Sequence, residues 1–436
     1  MRRKIIGIFV VGILLLTGFA SIPSQAGPAL QPLTAPDPQI IDMIQQVNES
    51  LLYYYDSHLT AFGPHATGTE TNMKVSQYIY DEFQAMGLSV KFHNWTLNNF
   101  TDRNVVATLP GTDASSNAIF IMCAHHDTGA DSPGAEDDGS GVSAVLATAK
   151  ILSQYSFNYT IRFITFSGEE QEFYGSYMYA RDVYQQGDNI IAVIDLDEIG
   201  YASTTVGGRI LDFYVPERCM WIGDFAQTVS TLYRNQTNRT SIACPHLEGA
   251  SDYQTFVYYG YDAAMIVNRE GPSPWYHTQN DNLEHVNWTY CTKITKLVLA
   301  VIVEFASTPI ELQVMITKPY PGYLYVFNNL LRPLDFWKIW HYPFPMGTTF
   351  IFGRTNVNVD VNPSNDILDV IFSTDGWVQE VQSGNASHYE WTIHSMKNII
   401  GNISSPLIGR YIVEVYVYTQ SGKVASDAID TFLFTL

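Results

Sequence analysis

Ala118-Ile119-Phe120-Ile121-Met122-Cys123 carries no charge and runs straight into Ala124-His125-His126-Asp127-Thr128-Gly129. A short, continuously apolar run of this kind reads as a strand covered on both faces, as in parallel sheets. Four further runs share the character: Asn104 to Leu109, Ile161 to Phe166, Ile190 to Leu196 and Ala263 to Val267. Between and around them lie helical patterns, at residues 38 to 55, 70 to 87, Gly141 to Ser153 and Asn287 to Phe305, with a turn-rich Gly63-Pro64-His65-Ala66-Thr67-Gly68 between the first two. Strands alternating with helices predict an α/β fold, a mostly parallel mixed sheet flanked by helices.

After Thr308-Pro309 helices nearly vanish. Phe350 to Phe352, Val357 to Val361, Leu368 to Phe372, Tyr389 to Ile393, Tyr411 to Tyr418 and Ile429 to Phe434 alternate between turn signals, as in a small antiparallel all-β sandwich. The expected organisation is residues 1–26 as a signal peptide, 27–309 as the α/β domain and 310–436 as the β-sandwich.

The amino terminus supports that first boundary. Arg2, Arg3 and Lys4 precede an apolar stretch from Ile5 to Ala20, closed by Pro23 and Ser24-Gln25-Ala26. This is the pattern of a secretory signal cleaved after Ala26, and the run is short of the roughly 20 residues a bilayer span needs. An uncleaved membrane anchor is the alternative. Nine Asn-x-Ser/Thr sequons, from Asn48 to Asn402, suit an extracellular glycoprotein. Four cysteines are too few for a disulfide framework in 436 residues. Cys123 reads as a buried thiol in a strand, and one bridge, Cys219 to Cys244, is set against free thiols.

The 436 residues, at roughly 100–200 per domain, suit two or three domains. With 46% hydrophobic and 14% aromatic residues, the chain is no disordered protein. Its formal charge of -20 excludes nucleic acid as a partner and argues against stable membrane association after signal removal. The acidity is concentrated: residues 27–310 hold 32 acidic and 13 basic groups, and 311–436 hold 11 and 7.

Metal-capable side chains follow the strands. His125 and Asp127 come after the first run, with Gly134-Ala135-Glu136-Asp137-Asp138-Gly139-Ser140-Gly141 leading into a helix. Ser167-Gly168-Glu169-Glu170 follows the next, Asp197-Glu198-Ile199-Gly200-Tyr201 the third, and Trp275-Tyr276-His277-Thr278-Gln279-Asn280-Asp281 comes after the last. The carboxyl ends of such strands are where open α/β sheets place their ligand crevice. Taken singly, each motif has an ordinary reading: an acidic turn or calcium loop, a solvated glutamate pair, a surface histidine. Independent surface residues, however, have no reason to cluster after successive core strands. A His, Asp and Glu set without thiolates suits zinc with an open coordination position.

In that order and spacing the five motifs resemble the two-zinc exopeptidases of the aminopeptidase Y and bacterial leucyl aminopeptidase type, over residues 40 to 305. The resemblance implies two zinc ions per chain, bridged by Asp137, one completed by His277 and Glu170 and the other by His125 and Asp197. It makes Glu169 the general base, Asp127 the carboxylate that orients the metal centre, and the Asp137–Asp138 peptide cis. It also implies cleavage of amino-terminal residues from peptides or proteins, and immunoglobulin-like modules resembling the carboxyl-terminal part are found appended to secreted enzymes. The residues agree: three ligand carboxylates against four positive charges leave one charge to lower the pKa of a water. Glu169 stands next to a ligand without being one, as a base must.

Two positions depart from the family. Glu198 replaces an apolar residue, as an amine-binding group or a salt-bridge partner, and Tyr253 stands where some relatives have His. Trp275, Tyr276, Tyr258 and Tyr259 either line a side-chain pocket or belong to the core. A carboxypeptidase or dipeptidase of the same fold stays open, with Arg209 or Arg269 for a terminal carboxylate, as does a non-catalytic binding protein. A one-zinc cyclase does not need all five ligands, and the chain holds no G-x-S-x-G elbow and no H-E-x-x-H motif.

Overall fold

A computed structural model describes residues 27–238, 240–245, 251–321, 323–333, 348–393 and 408–434. The proposed signal peptide lies outside the described residues, and among those described no helix is long and apolar enough to cross a membrane.

The strands, in chain order, are β1 (Ala29–Leu30), β2 (Ser89–Leu97), β3 (Phe100–Leu109), β4 (Ile119–His125), β5 (Thr160–Phe166), β6 (Ile190–Leu196), β7 (Ile210–Val215), β8 (Thr240–Pro245) and β9 (Ala263–Val267). All but β1 form one sheet in the order β2-β3-β5-β4-β6-β9-β7-β8. Its centre, β5-β4-β6-β9, is parallel, whereas β3 joins β5 and β7 joins β9 antiparallel. β4 and β6 are buried along their whole length, which is why they show no alternation in sequence.

Helices cover both faces. On one pack α1 (Pro38–Gln46), α2 (Glu49–Thr60), α3 (Glu70–Ala85), α4 (Gly139–Leu152), α6 (Met220–Leu232) and α9 (Trp288–Ser307); on the other lie α5 (Tyr174–Gln186) and α8 (Tyr253–Tyr258), with the short α7 (Arg234–Thr237) after α6. The helix expected over 38 to 55 is two. Asn48 takes an extended conformation and its side chain accepts from Leu51 N at 3.0 Å, capping α2 and ending α1.

The carboxyl-terminal part adds β10 (Ile310–Lys318), β11 (Tyr323–Val326), β12 (Asn329–Pro333), β13 (Thr349–Phe352), β14 (Thr355–Asn362), β15 (Ile367–Thr374), β16 (Trp377–Ser383), β17 (His388–Ile393), β18 (Ile408–Thr419) and β19 (Val424–Phe434). They make two sheets, β1-β10-β14-β17 and β12-β11-β13-β19-β18-β15-β16, closed on a single apolar core. This is the expected all-β sandwich with two differences. β13 runs parallel to both β11 and β19, so the larger sheet is mixed. β1, ahead of the first helix, pairs with β10, so residues 29 and 30 extend a sheet of the sandwich, Ala29 packing on its core while Leu30 packs on the core of the α/β body.

Arg218 ties the two parts: its guanidinium donates to Tyr261 O at 2.7 Å and Ala428 O at 3.2 Å and pairs with Asp262 at 3.1 Å. All four cysteines are free, so the Cys219–Cys244 bridge does not form. Cys219 is buried, its sulfur 3.5 Å from Asp262 Oδ1, and Cys244 sits on β8 opposite Tyr214.

Candidate active site

The site gathers where parallel strands end. β4 closes on His125; the turn after β5 carries Glu169 and Glu170; Asp197 follows β6 directly; the loop after β9 returns His277; and the segment ahead of α4 carries Asp137. Two glycines let that segment approach. A Cβ on Gly139 would stand 2.5 Å from Asp56 Oδ1, and one on Gly141 would stand 2.5 Å from the Asp138 carboxylate that caps α4.

Asp137 occupies the middle. Its Oδ1 is 3.2 Å from His125 Nε2 and its Oδ2 is 3.2 Å from His277 Nε2. His125 Nε2 lies 3.6 Å from Asp197 Oδ1, and His277 Nε2 lies 2.9 Å from Glu170 Oε2. The structure thus brings together all five residues expected to hold metal. His125 Nε2, Asp137 Oδ2 and Glu170 Oε1 are buried and make no hydrogen bond. Polar atoms this close yet unbonded converge on a shared point, which fits metal ligation. Asp138, although within reach of His125 and Asp197, is spent on backbone N–H groups of Gly141 at 2.9 Å and of His125 and Glu198 at 3.3 Å. The Asp137–Asp138 peptide is cis.

Asp127 is fully buried and differs in detail from its expected part. Its backbone carbonyl, not its carboxylate, is the partner of His125 Nδ1, at 2.9 Å against 3.8 Å. A carbonyl only accepts, so Nδ1 carries the proton and Nε2 presents its lone pair to the site. The Asp127 carboxylate instead accepts from Thr67 Oγ1 at 2.6 Å and from Glu169 N at 3.2 Å, fixing the turn that aims Glu169 and Glu170. Asp281 does the same for the Asp137 segment: its two oxygens accept from Glu136 N at 2.8 Å and Asp137 N at 3.2 Å. Glu136 accepts in turn from Gly200 N and Asn268 Nδ2, tying the β6 and β9 loops together.

The electrostatics follow from packing many carboxylates against two imidazoles. Burial, added to by Asp137, pushes Glu170 up to about 7, and burial with the Asp197 charge pushes Glu198 up to about 10. Burial also raises Glu169 well above the usual range, against the pull of His125. Asp137 alone goes down, to about 2: burial opposes this, but His125 and His277 outweigh it. A site crowded with raised carboxylates is one that cations relieve.

The four aromatic candidates divide. Tyr258 and Tyr259 are buried in the core, whereas Tyr276 is exposed and stacks on His277 at 3.8 Å; Trp275 stacks on His285 at 3.8 Å. Glu198 is partly buried beside the site with positive φ, as is His277, backbone conformations that cluster at functional positions. Arg269 is committed to Asp212 at 2.5 Å. Thr67 and Glu136 were not singled out by sequence reasoning; Thr67 lay in the Gly63–Gly68 turn, whose bonds to Asp127 and Thr128 after β4 are a tertiary fact.

A mixed sheet with histidines and carboxylates massed past its parallel strand ends is a fold this chain shares with solved aminopeptidases. Residues 104–302 match the model of peptidase family M28. It is 25% identical to aminopeptidase YwaD of Bacillus subtilis over 266 residues, 58% of this chain and 56% of that one, so the chain spans little more than half of that relative. A zinc aminopeptidase from Bacillus subtilis superposes with a TM-score of 0.53 at 17% identity, covering 60% of this chain and 96% of that one. A Porphyromonas gingivalis glutaminyl cyclase gives 0.52 at 19%, covering 59% and 99%. At such identities the likeness is one of fold, and the chemistry has to be argued from the residues.

Proposed function

We propose that this chain is an exported zinc aminopeptidase that removes amino-terminal residues from peptides or proteins at a site holding two zinc ions. The observation that carries the reading is Asp137, whose two carboxylate oxygens each face a different histidine at 3.2 Å. A monodentate site needs no such symmetry. His125 and Asp197 complete one side, and His277 and Glu170 the other. Zinc bound there supplies Lewis acidity for the scissile carbonyl and for the attacking water.

The chain's own residues do the rest. Glu169, next in the chain to Glu170, takes the proton of the attacking water and returns it to the leaving amine. Asp127 and Thr67 hold the turn that aims it, and Asp281 holds Asp137 in register. The commitment of Arg269 to Asp212 removes one of the two groups a carboxypeptidase reading relied on. The five ligands, all present, weigh against a non-catalytic role and against a one-zinc cyclase. Signal cleavage after Ala26, sequon glycosylation and an immunoglobulin-like identity for the sandwich belong to the same proposal.

Hydrolysis of aminoacyl arylamides by the zinc-loaded protein, beside the same compounds acetylated at the amine, tests it. Free-amine substrates alone should be cleaved, with about two zinc ions per chain by elemental analysis. Equal cleavage of both sets, or none with zinc bound, refutes the reading.

A further inference from the structure

A second cleft lies between the α/β body and the sandwich. It measures about 930 Å³, at the upper end of ligand-pocket sizes, and sits where two structural units meet, a common place for ligand sites. It is on the opposite edge of the sheet from the metal-capable residues. Asn117, Asn189 and Asp262 on its wall stand just ahead of β4, β6 and β9, whereas His125 and Asp197 stand at the far ends. The seven residues of β6 at about 3.3 Å each separate the two by roughly 20 Å. A molecule held in this cleft is therefore no part of a peptide bound for cleavage.

Its lining has three properties. First, five tyrosines face it, from α5, from the turn after α8 and from the start of the sandwich. Tyr184 is the hub, 5.9 Å from Tyr320, 5.5 Å from Tyr259 and 6.4 Å from Tyr261 between ring centres. Tyr320 is 40% exposed, and the Tyr184 hydroxyl is buried with no hydrogen-bond partner. Second, side-chain amides run in a chain: Gln313 donates to Asn189 at 2.8 Å, and Asn189 donates to Asn117 at 2.9 Å. Such a chain holds Asn117 and Gln313 in place with amide atoms to spare. Third, the charged groups are already engaged. Asp188 meets Arg162 at 2.5 Å and Asp262 meets Arg218 at 3.1 Å, Asp360 is bonded to His388 at 2.8 Å, and the Asp427 oxygens accept from Ile316 N at 2.6 Å and Ala428 N at 2.7 Å.

Aromatic faces for C–H groups, fixed amides for hydroxyls and no spare charge fit one ligand chemistry. A phosphate, sulfate or carboxylate would need an unpaired cation, and an ammonium a free carboxylate. We propose that this cleft binds a neutral oligosaccharide, docking the enzyme on glycan while the metal-capable edge stays open. The glycan is either free polysaccharide or the sugar chain of a glycoprotein; the two offer the same groups to the cleft.

The test uses the full chain in native gels cast with neutral glucan, mannan or galactan, and calorimetry with the matching oligosaccharides, with a glycopeptide bearing a neutral sugar chain and with its sugar-free peptide. Retardation by at least one neutral glycan, relieved by its soluble oligosaccharide, is expected. Binding by oligosaccharide and glycopeptide alike places the sugar itself in the cleft, and binding by the glycopeptide alone assigns the glycoprotein source. Tyr320→Ala and Asn117→Ala, both at exposed positions, should each weaken binding about tenfold, as loss of a central contact does, with arylamide turnover unchanged. Retardation by none of the neutral glycans, preference for sulfated ones, binding of the sugar-free peptide, or full binding by both variants overturns the assignment. Because the readout is sugar binding, it stands or falls separately from the peptidase reading.

Discussion

Asp281→Asn separates alignment of the site from stability of the fold. The side chain is 1% exposed, and burial pushes its carboxyl up to about 6 from 3.8, even with two backbone N–H groups bonded to it. At 1.36 kcal/mol per tenfold, holding Asp281 ionised at pH 7 costs the metal-free protein about 3 kcal/mol. The amide removes that cost, keeps a carbonyl oxygen for Glu136 N and loses the acceptor for Asp137 N, a loss of about 1–3 kcal/mol. The two effects nearly cancel, so the metal-free melting temperature should hardly move. Metal affinity should not escape: with Asp137 no longer held by its own N–H, zinc should bind about 10- to 100-fold more weakly, the usual effect of losing a ligand's support. Competition with a chromophoric chelator reads the affinity and calorimetry reads the stability. Unchanged zinc affinity, with or without a drop in melting temperature, would refute the positioning role of Asp281.

Glu169→Gln should keep its zinc and lose about 10²- to 10⁴-fold in arylamide turnover; near-normal rates in the metal-loaded variant would remove Glu169 from proton transfer. Arg218→Met strands two carbonyls and the Asp262 carboxylate in a buried joint, at about 3–5 kcal/mol. Calorimetry should then show the sandwich and the α/β body melting apart where the parent melts once, and a single transition at the parent temperature would contradict the joint. Asp427 beside that joint is pushed up to about 6 by burial, against the pull of Arg218 and with Asp262 adding to the rise. The folded state thus keeps this proton better than the unfolded chain, so the contribution is full below about pH 4 and lost as the pH rises to about 6. Asp427→Asn should flatten the melting temperature over that window, and an unchanged slope would assign it to other groups.

The centre of the sheet was legible because burial on both faces leaves an unbroken apolar run: β6 and β9 begin and end where the residues do. The edges were not. β2, Ser89–Leu97, mixes Lys91, His93 and Asn94 with apolar residues because it lies at a sheet edge and is mostly open, and the tyrosine-rich α5 has no clean apolar stripe. Among site residues, the five metal-capable ones could be grouped because most of them follow strand ends, whereas the part expected of each came only with the resemblance. Asp281 was seen only as part of a motif, since its hydrogen bonds reach back 144 and 145 residues. The backbone partner of His125 was likewise invisible: sequence names the side chain of Asp127 but not which of its oxygens turns toward the ring.

The pairing of Ala29–Leu30 with β10 makes the α/β body an insertion, strung between the first strand of the sandwich and the rest of it. During synthesis that first strand must wait through some 280 residues for its partner, so the body folds before the sandwich can close. Cutting the chain at the 309/310 joint would not yield two clean halves. The carboxyl-terminal piece would expose the edge of β10 that Ala29 and Leu30 cover, and an uncovered edge of that kind recruits other chains. Any dissection of the two proposed activities is therefore better made by point substitution than by truncation.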